Sequence, residues 1–228
     1  AATETDLRLL ARLADTPVVE QRKLYMSSLR VHANDQRRFT LTGPMVGAPY
    51  AAMIVEALGV WGVESILFFG WCGAVSRHVK AGDIIVPDSA MVDEGTSGHY
   101  RDPSCRVALP ARPLVHQVRS ALQHQGARFH DGAVWTTDAI FRETVEKVKH
   151  YQSEGALAVD MELSAIFTVA GFREIAAAGI LVVSDELSDY QWRPGFNAPA
   201  FKIARETACR ALLRVAHEHR TLNANRNP

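Results

Sequence analysis

Apolar positions along this chain alternate between helical spacing and short unbroken runs. Leu7, Leu9, Leu10 and Leu13 give the segment from Asp6 to Ala14 one apolar face, which predicts an amphipathic helix. A polar, Arg-rich stretch without a regular period follows as far as Arg38, and a turn from Thr42 to Pro49 closes it. Helical spacing returns over Ala51–Val60, with Gly59 and Gly62 flanking its end. Ser65–Gly70 and Asp83–Pro87 read as buried strands, Val115–Gln123 as a helix, and Ala127–Thr137 as a strand ending in a Thr-Thr-Asp turn. Arg142–Tyr151 reads as a charged helix and Ala156–Val159 as another short buried strand. Leu163, Ile166, Phe167 and Ala170 then recur at helical spacing, Gly179–Asp185 is a strong buried strand, and Pro199–His217 is a long closing helix. Strands alternating with helices predict an α/β fold around a largely parallel or mixed sheet.

Composition narrows the class further. At 228 residues the chain is long enough for one sizeable α/β domain. Lys plus Arg (25) equals Asp plus Glu (25), so no global field favours nucleic acid or an anionic membrane. No apolar run reaches the length of a bilayer, and the opening residues lack a signal-peptide pattern. The expectation is a soluble, cytoplasmic protein. Cys72, Cys105 and Cys209, an odd set with no CxxC, argue against a disulfide framework or a zinc site.

The chemistry concentrates at predicted strand ends. Asp160 and Glu162, with Met161 between them, stand where a strand gives way to a helix, which is where open α/β sheets place their ligands. Trp71-Cys-Gly-Ala74, Thr136-Thr-Asp138 and Ser184-Asp-Glu186 end other strands in the same way. If the sheet gathers these ends, they make one pocket rim carrying several acids. The histidines are scattered rather than set among the carboxylates, so no metal is expected. No GxSxG elbow and no GxGxxG fingerprint occur, which removes a serine triad and a dinucleotide cofactor from the expectation. The residues by themselves point to a small hydroxylated ligand and acid-assisted chemistry.

Several motifs then occur in order: Gly43-Pro-Met-Val-Gly-Ala-Pro, Gly70-Trp-Cys-Gly-Ala-Val, Gly82-Asp-Ile-Ile-Val-Pro, Asp93-Glu-Gly-Thr-Ser-Gly-His-Tyr, Thr136-Thr-Asp-Ala, Val159-Asp-Met-Glu and Val183-Ser-Asp-Glu-Leu. Together they resemble the purine nucleoside phosphorylase/uridine phosphorylase family, from about residue 40 to about residue 215. The resemblance implies a single three-layer α/β/α domain with a mixed central sheet, here residues 1–228, assembled into a dimer, trimer or hexamer. It implies cleavage of a nucleoside N-glycosidic bond, with phosphate or water as nucleophile. Carried over residue by residue, Glu162 resembles the acid on the ribose hydroxyls, Met161 packs against the sugar, and Asp160 supports them. Asp185 resembles the acid that protonates or hydrogen-bonds purine N7, which requires raising it from about 3.9. Its plainer reading is an N-cap after a strand.

Cys72, Gly73 and Thr137 fall in family segments that face the ligand. Ile140 stands where an aromatic often stacks on the base, with Phe141 one residue later as a substitute or a core residue. Arg193 resembles a mobile arginine that pairs with the base-side acid, or is an idle surface group. The absence of a uridine-reading Gln and Arg after Thr137, together with Asp185, tilts the base towards purine. The phosphate side departs from the pattern. Phe68 stands in place of a phosphate-binding Arg and Trp71 in place of a Ser or Thr, and neither ring replaces a guanidinium on phosphate. The family's N-terminal strand and phosphate loop have no match in the residues before Gly43. Arg22, Lys23, Arg37 and Arg38 are either a solvated basic stretch or groups reaching a neighbouring subunit. Glu94 is a possible water-activating stand-in or a structural acid. Three functions therefore stand open: phosphorolysis, hydrolysis, or nucleoside binding without chemistry.

Overall fold

The Arg-rich stretch read as irregular is a small sheet. The computed structural model describes residues 1–224, with side chains as far as residue 218. After helix α1 (Glu4–Leu13), strands β1 (Val18–Leu24), β2 (Ser27–Ala33) and β3 (Arg38–Gly43) form a three-stranded antiparallel meander. Its strand pattern was hidden because only one face is covered. Leu29 and Val31 of the middle strand point inward, while Arg22 and Lys23 on β1 stay in solvent. Arg37 and Arg38 lie at the turn into β3.

The main body runs on through α2 (Ala48–Val60), β4 (Ser65–Ala74), β5 (Ile84–Asp93), β6 (Val107–Ala108), α3 (Arg112–His124), β7 (His130–Thr137), α4 (Val145–Ser153), β8 (Ala158–Asp160), α5 (Leu163–Phe172), β9 (Ala176–Glu186), β10 (Arg193–Pro194) and α6 (Pro199–Ala224). The seven-stranded sheet has the order β10-β9-β4-β8-β7-β5-β6 and mixes parallel and antiparallel pairs. β5 also pairs with β9 through Ile84↔Val182 and Ile85↔Leu181, so β9, β4, β8, β7 and β5 close into a ring. The expected mixed α/β fold is present, with its sheet curled rather than open.

Two layers of helix cover the sheet. α2 and α5 bury Ile54, Val55, Leu58, Ile166 and Phe167 with Phe68 and Cys72. α1, α3 and α6 bury Leu10, Val118, Leu122, Phe201 and Leu212 with Phe69. Residues from Leu163 to Ala170 are all buried, so α5 is a core helix where the spacing had suggested one apolar stripe. β4 and β5 run beyond their predicted ends. Trp71-Cys-Gly73 is strand rather than turn, and Pro87 is admitted at an irregularity of the β5–β7 ladder. Among the described residues no helix is long and apolar enough to cross a membrane.

Candidate active site

The junction between β8 and α5 separates its two acids by their hydrogen bonds. β8 is only three residues long, held antiparallel to β4 and parallel to β7. Asp160 ends it, 3% exposed, and its Oδ1 accepts from Thr136 Oγ1 at 2.6 Å. Its Oδ2 accepts from the N–H groups of Glu162 (3.0 Å) and Leu163 (2.8 Å), the first donors of α5. Asp160, two residues before the N-cap position Glu162, thus satisfies free N–H groups at the head of the core helix. Thr136 Oγ1 in turn accepts from Ser164 N at 3.0 Å, which ties the head of α5 to β7.

Glu162, 5% exposed, turns the other way, and its Oε1 accepts from Gly47 N at 2.7 Å. Gly47 has φ +86°, the left-handed region that favours glycine, at the mouth of α2. Burial raises the Glu162 carboxyl well above the ordinary glutamate range, and the neighbouring Asp160 adds to the effect. Asp160 is also raised by burial, but its donors stabilise the ion.

The second acidic end lies across β4. Gly73 pairs with Val159 of β8 on one side and Asp185 of β9 on the other, beside a bulge at Cys72/Gly73. A Cβ at Gly73 would stand 3.2 Å from Asp185 Oδ2, so the missing side chain leaves that carboxylate its space. Asp185 Oδ1 accepts from Ser184 Oγ at 2.6 Å and Oδ2 from Trp192 Nε1 at 2.9 Å. Burial raises the carboxyl above its usual range, and these two donors oppose the rise. The Cys72 thiol is held protonated by burial and then by the charges of Asp160 and Asp185, so it lies within electrostatic reach of both ends. Cys72 and Gly73 of β4 thus lie between Asp160 on one side and Asp185 on the other.

Other expected residues stand apart from it. Met161 is half-buried between the acids, and Thr137 is buried at the end of β7, accepting from Ala139 N at 3.4 Å. Ile140 is 45% and Phe141 94% exposed, so neither is a core residue within this chain. Arg193 pairs with Asp189 and lies opposite Glu186 in the β9–β10 ladder, so the expected pairing with Asp185 is replaced by the Trp192 indole. Phe68 and Trp71 occupy opposite faces of β4. Phe68 is buried under α2 and α5, whereas Trp71 faces α6, edge-on to Phe201 at 5.1 Å and beneath the Arg205 guanidinium at 5.2 Å. Trp71 is therefore turned away from the face that holds Phe68 and does not fill a subsite with it. Glu94 accepts from Thr96 N (2.6 Å), Ser97 N (3.0 Å) and Ser164 Oγ (2.9 Å), which makes it a structural clasp of the β5 loop.

Sequence reading missed Trp192 and Glu143. Glu143 precedes α4, and its carboxyl is pushed up to about 7 by burial, with the charge of Asp185 adding and Lys147 opposing. No periodic pattern marks it, whereas an indole in a polar loop was a signal for Trp192. A largely apolar cavity of about 500 Å³, lined by Met45, Ile54, Phe68 and Ile166 among others, lies between β3, β4, α2 and α6. Glu162 and Asp185 are not in its wall.

Comparison with known proteins identifies the family. A guanosine phosphorylase of Halorubrum lacusprofundi is 30% identical over 177 residues, 76% of this chain and 70% of that protein. A DeoD-type purine nucleoside phosphorylase of Bacillus cytotoxicus is 30% identical over 153 residues, 66% of this chain and 65% of that protein. The match thus spans just under two thirds of the Bacillus protein's length. The crystal structure of a purine nucleoside phosphorylase from Toxoplasma gondii in complex with immucillin-H shares the fold, with a TM-score of 0.80 over 95% of this chain and 89% of that one at 19% identity. Residues 1–217 match the profile of the phosphorylase superfamily, and the chain belongs to that family.

Proposed function

We propose that this protein cleaves the N-glycosidic bond of a purine nucleoside. The observation that carries this reading is that β8, which leads into Glu162, and β9, which carries Asp185, flank Cys72 and Gly73 of β4. Glu162, held by Gly47 N–H, receives the ribose hydroxyls and steadies positive charge developing on the sugar. Asp185, its carboxyl raised by burial, donates a proton to the N7 side of the base as it leaves. Arrival of a nucleoside displaces water from both acids, which strengthens each contact. The purine preference draws support from the two relatives named for guanosine and purine nucleosides.

The nucleophile divides two readings. Phosphorolysis is the activity in the names of both relatives. Buried, uncharged Phe68 favours hydrolysis or binding alone, because phosphate lacks a guanidinium there. Incubation with guanosine, inosine and adenosine, with and without phosphate, separates them by chromatography of the released base. Release only with phosphate supports the phosphorylase, and release without it the hydrolase. Measurable nucleoside binding with no release under either condition refutes the enzyme reading.

A homo-oligomer is part of the same proposal. Val46 before α2, Met53 and Val60 on it and Trp61 at its end are exposed apolar residues, 61%, 45%, 83% and 51% exposed. Sedimentation at micromolar concentration checks it, and a strictly monomeric protein overturns it.

A further inference from the structure

We propose that Trp192 is the residue that positions the acid Asp185, an assignment that rests on the reading of Asp185 given above. The indole Nε1 donates to Oδ2 at 2.9 Å while Ser184 Oγ donates to Oδ1 at 2.6 Å, so each carboxylate oxygen carries a neutral donor. Trp192 is 61% exposed, and core packing therefore does not account for its place.

The backbone that carries the acid also carries the indole. Arg193 and Pro194 pair antiparallel with Glu186 and Asp185, and Gly195 N donates to Ser184 O at 2.8 Å. A Cβ at Gly195 would fall 2.4 Å from the Cβ of Ala81 and 3.0 Å from Ser184 O, so this loop is pressed onto β9 with no room for a side chain. On the far side the Trp192 ring meets Phe196 at 6.4 Å, and Phe196 meets Trp71 at 6.0 Å. Tyr190 Oη donates to Gln152 Oε1 at 3.0 Å and fixes the start of the loop on α4. The indole is thereby aimed at one oxygen by contacts on both sides.

A neutral donor suits an acid that must hold its proton. A guanidinium at this point would stabilise the carboxylate with a full charge and make the group a poorer proton carrier at neutral pH. Arg193, the adjacent cation, is held by Asp189, and Lys80 is held by Glu186. Cys72 on β4 and Glu143 before α4 also lie within electrostatic reach of Asp185, and neither supplies positive charge. Burial raises Asp185, and the indole and the Ser184 hydroxyl oppose that rise without cancelling it.

The indole N–H favours the ionised carboxylate, so Trp192→Phe raises the pKa of Asp185. Carboxyl NMR titration of the full chain should show Asp185 moving up by about one unit in Trp192→Phe. With guanosine, the alkaline limb of the kcat profile should move up by the same amount. Loss of orientation should lower kcat about tenfold, with KM within about twofold. Trp192→His, which keeps a ring N–H, should recover part of each effect. An unmoved Asp185 titration in Trp192→Phe overturns the assignment. So does a kcat loss from Trp192→Phe that is as large in an Asp185→Asn background as in the native protein. Native turnover by Asp185→Asn refutes the acid role itself, while the titration shift stays measurable.

Discussion

The two acidic ends of the site lie on strands flanking β4, yet they are built in opposite ways. At the β8 end two carboxylates stand two residues apart, and backbone donors divide their roles. Asp160 receives two N–H groups and a hydroxyl and closes the head of α5, whereas Glu162 is held by the Gly47 N–H. At the β9 end a single functional carboxylate is held by neutral side-chain donors, one from its own strand and one from a loop. The comparison teaches that type and spacing do not assign a carboxylate its role. The number of N–H groups aimed at it does, because each one favours the ion and ties it to the backbone.

The strongest way to break this comparison is Glu162→Ala. Nucleoside turnover should fall about a thousandfold, while the thermal midpoint stays level or rises slightly, since a raised buried acid is removed. Unchanged turnover would assign the ribose contact elsewhere. Asp160→Ala should do the reverse. It leaves three buried donors unpartnered and should cost about 3 kcal/mol, or about 9 °C in thermal midpoint for a chain of this size. Calorimetry decides, and a loss below about 1 kcal/mol would deny Asp160 its capping role.

Asp185→Asn keeps shape and removes the proton carrier. Turnover of a purine nucleoside should fall about a hundredfold with affinity within about threefold. Equal loss in both would make Asp185 a binding group only. Glu143 provides a smaller, pH-resolved test. Its folded pKa, raised from 4.5 to about 7, means that the folded protein holds a proton the unfolded chain has lost. Its contribution is present below pH 4.5 and disappears as pH rises through about 7. Glu143→Gln should abolish that decline, a difference of about 1 kcal/mol after solvent screening, read from urea midpoints across this range. Parallel curves for the two proteins would remove Glu143 from the buried set. Smallest is Phe141→Ala, expected within about 0.5 kcal/mol in the monomer because the ring has almost no neighbours. A drop in assembly size on sedimentation would place it in a subunit interface.

Legibility in the sequence followed burial. The runs 65–70, 156–159 and 179–185 were readable as strands because both faces of the curled sheet are covered, so nearly every residue is apolar. β1 to β3 were not, since one face is wet and Arg and Lys interrupt the alternation. Glu162 and Asp185 were readable as candidate site acids because they sit at strand ends within ordered motifs. Asp160 was ranked as support, and its hydrogen bonds give that support a physical form.

What the sequence determined by itself is therefore the alternation of elements, the family, and the strand ends where acids accumulate, all of which are local in the chain. Tertiary structure alone decided which acid each donor reaches. Gly47 meets Glu162 across 115 positions, and Trp71 turns to α6 while Phe68 turns to α5. Such pairings depend on sheet register and on which face of a strand a side chain takes, and a shift of one residue reverses every face.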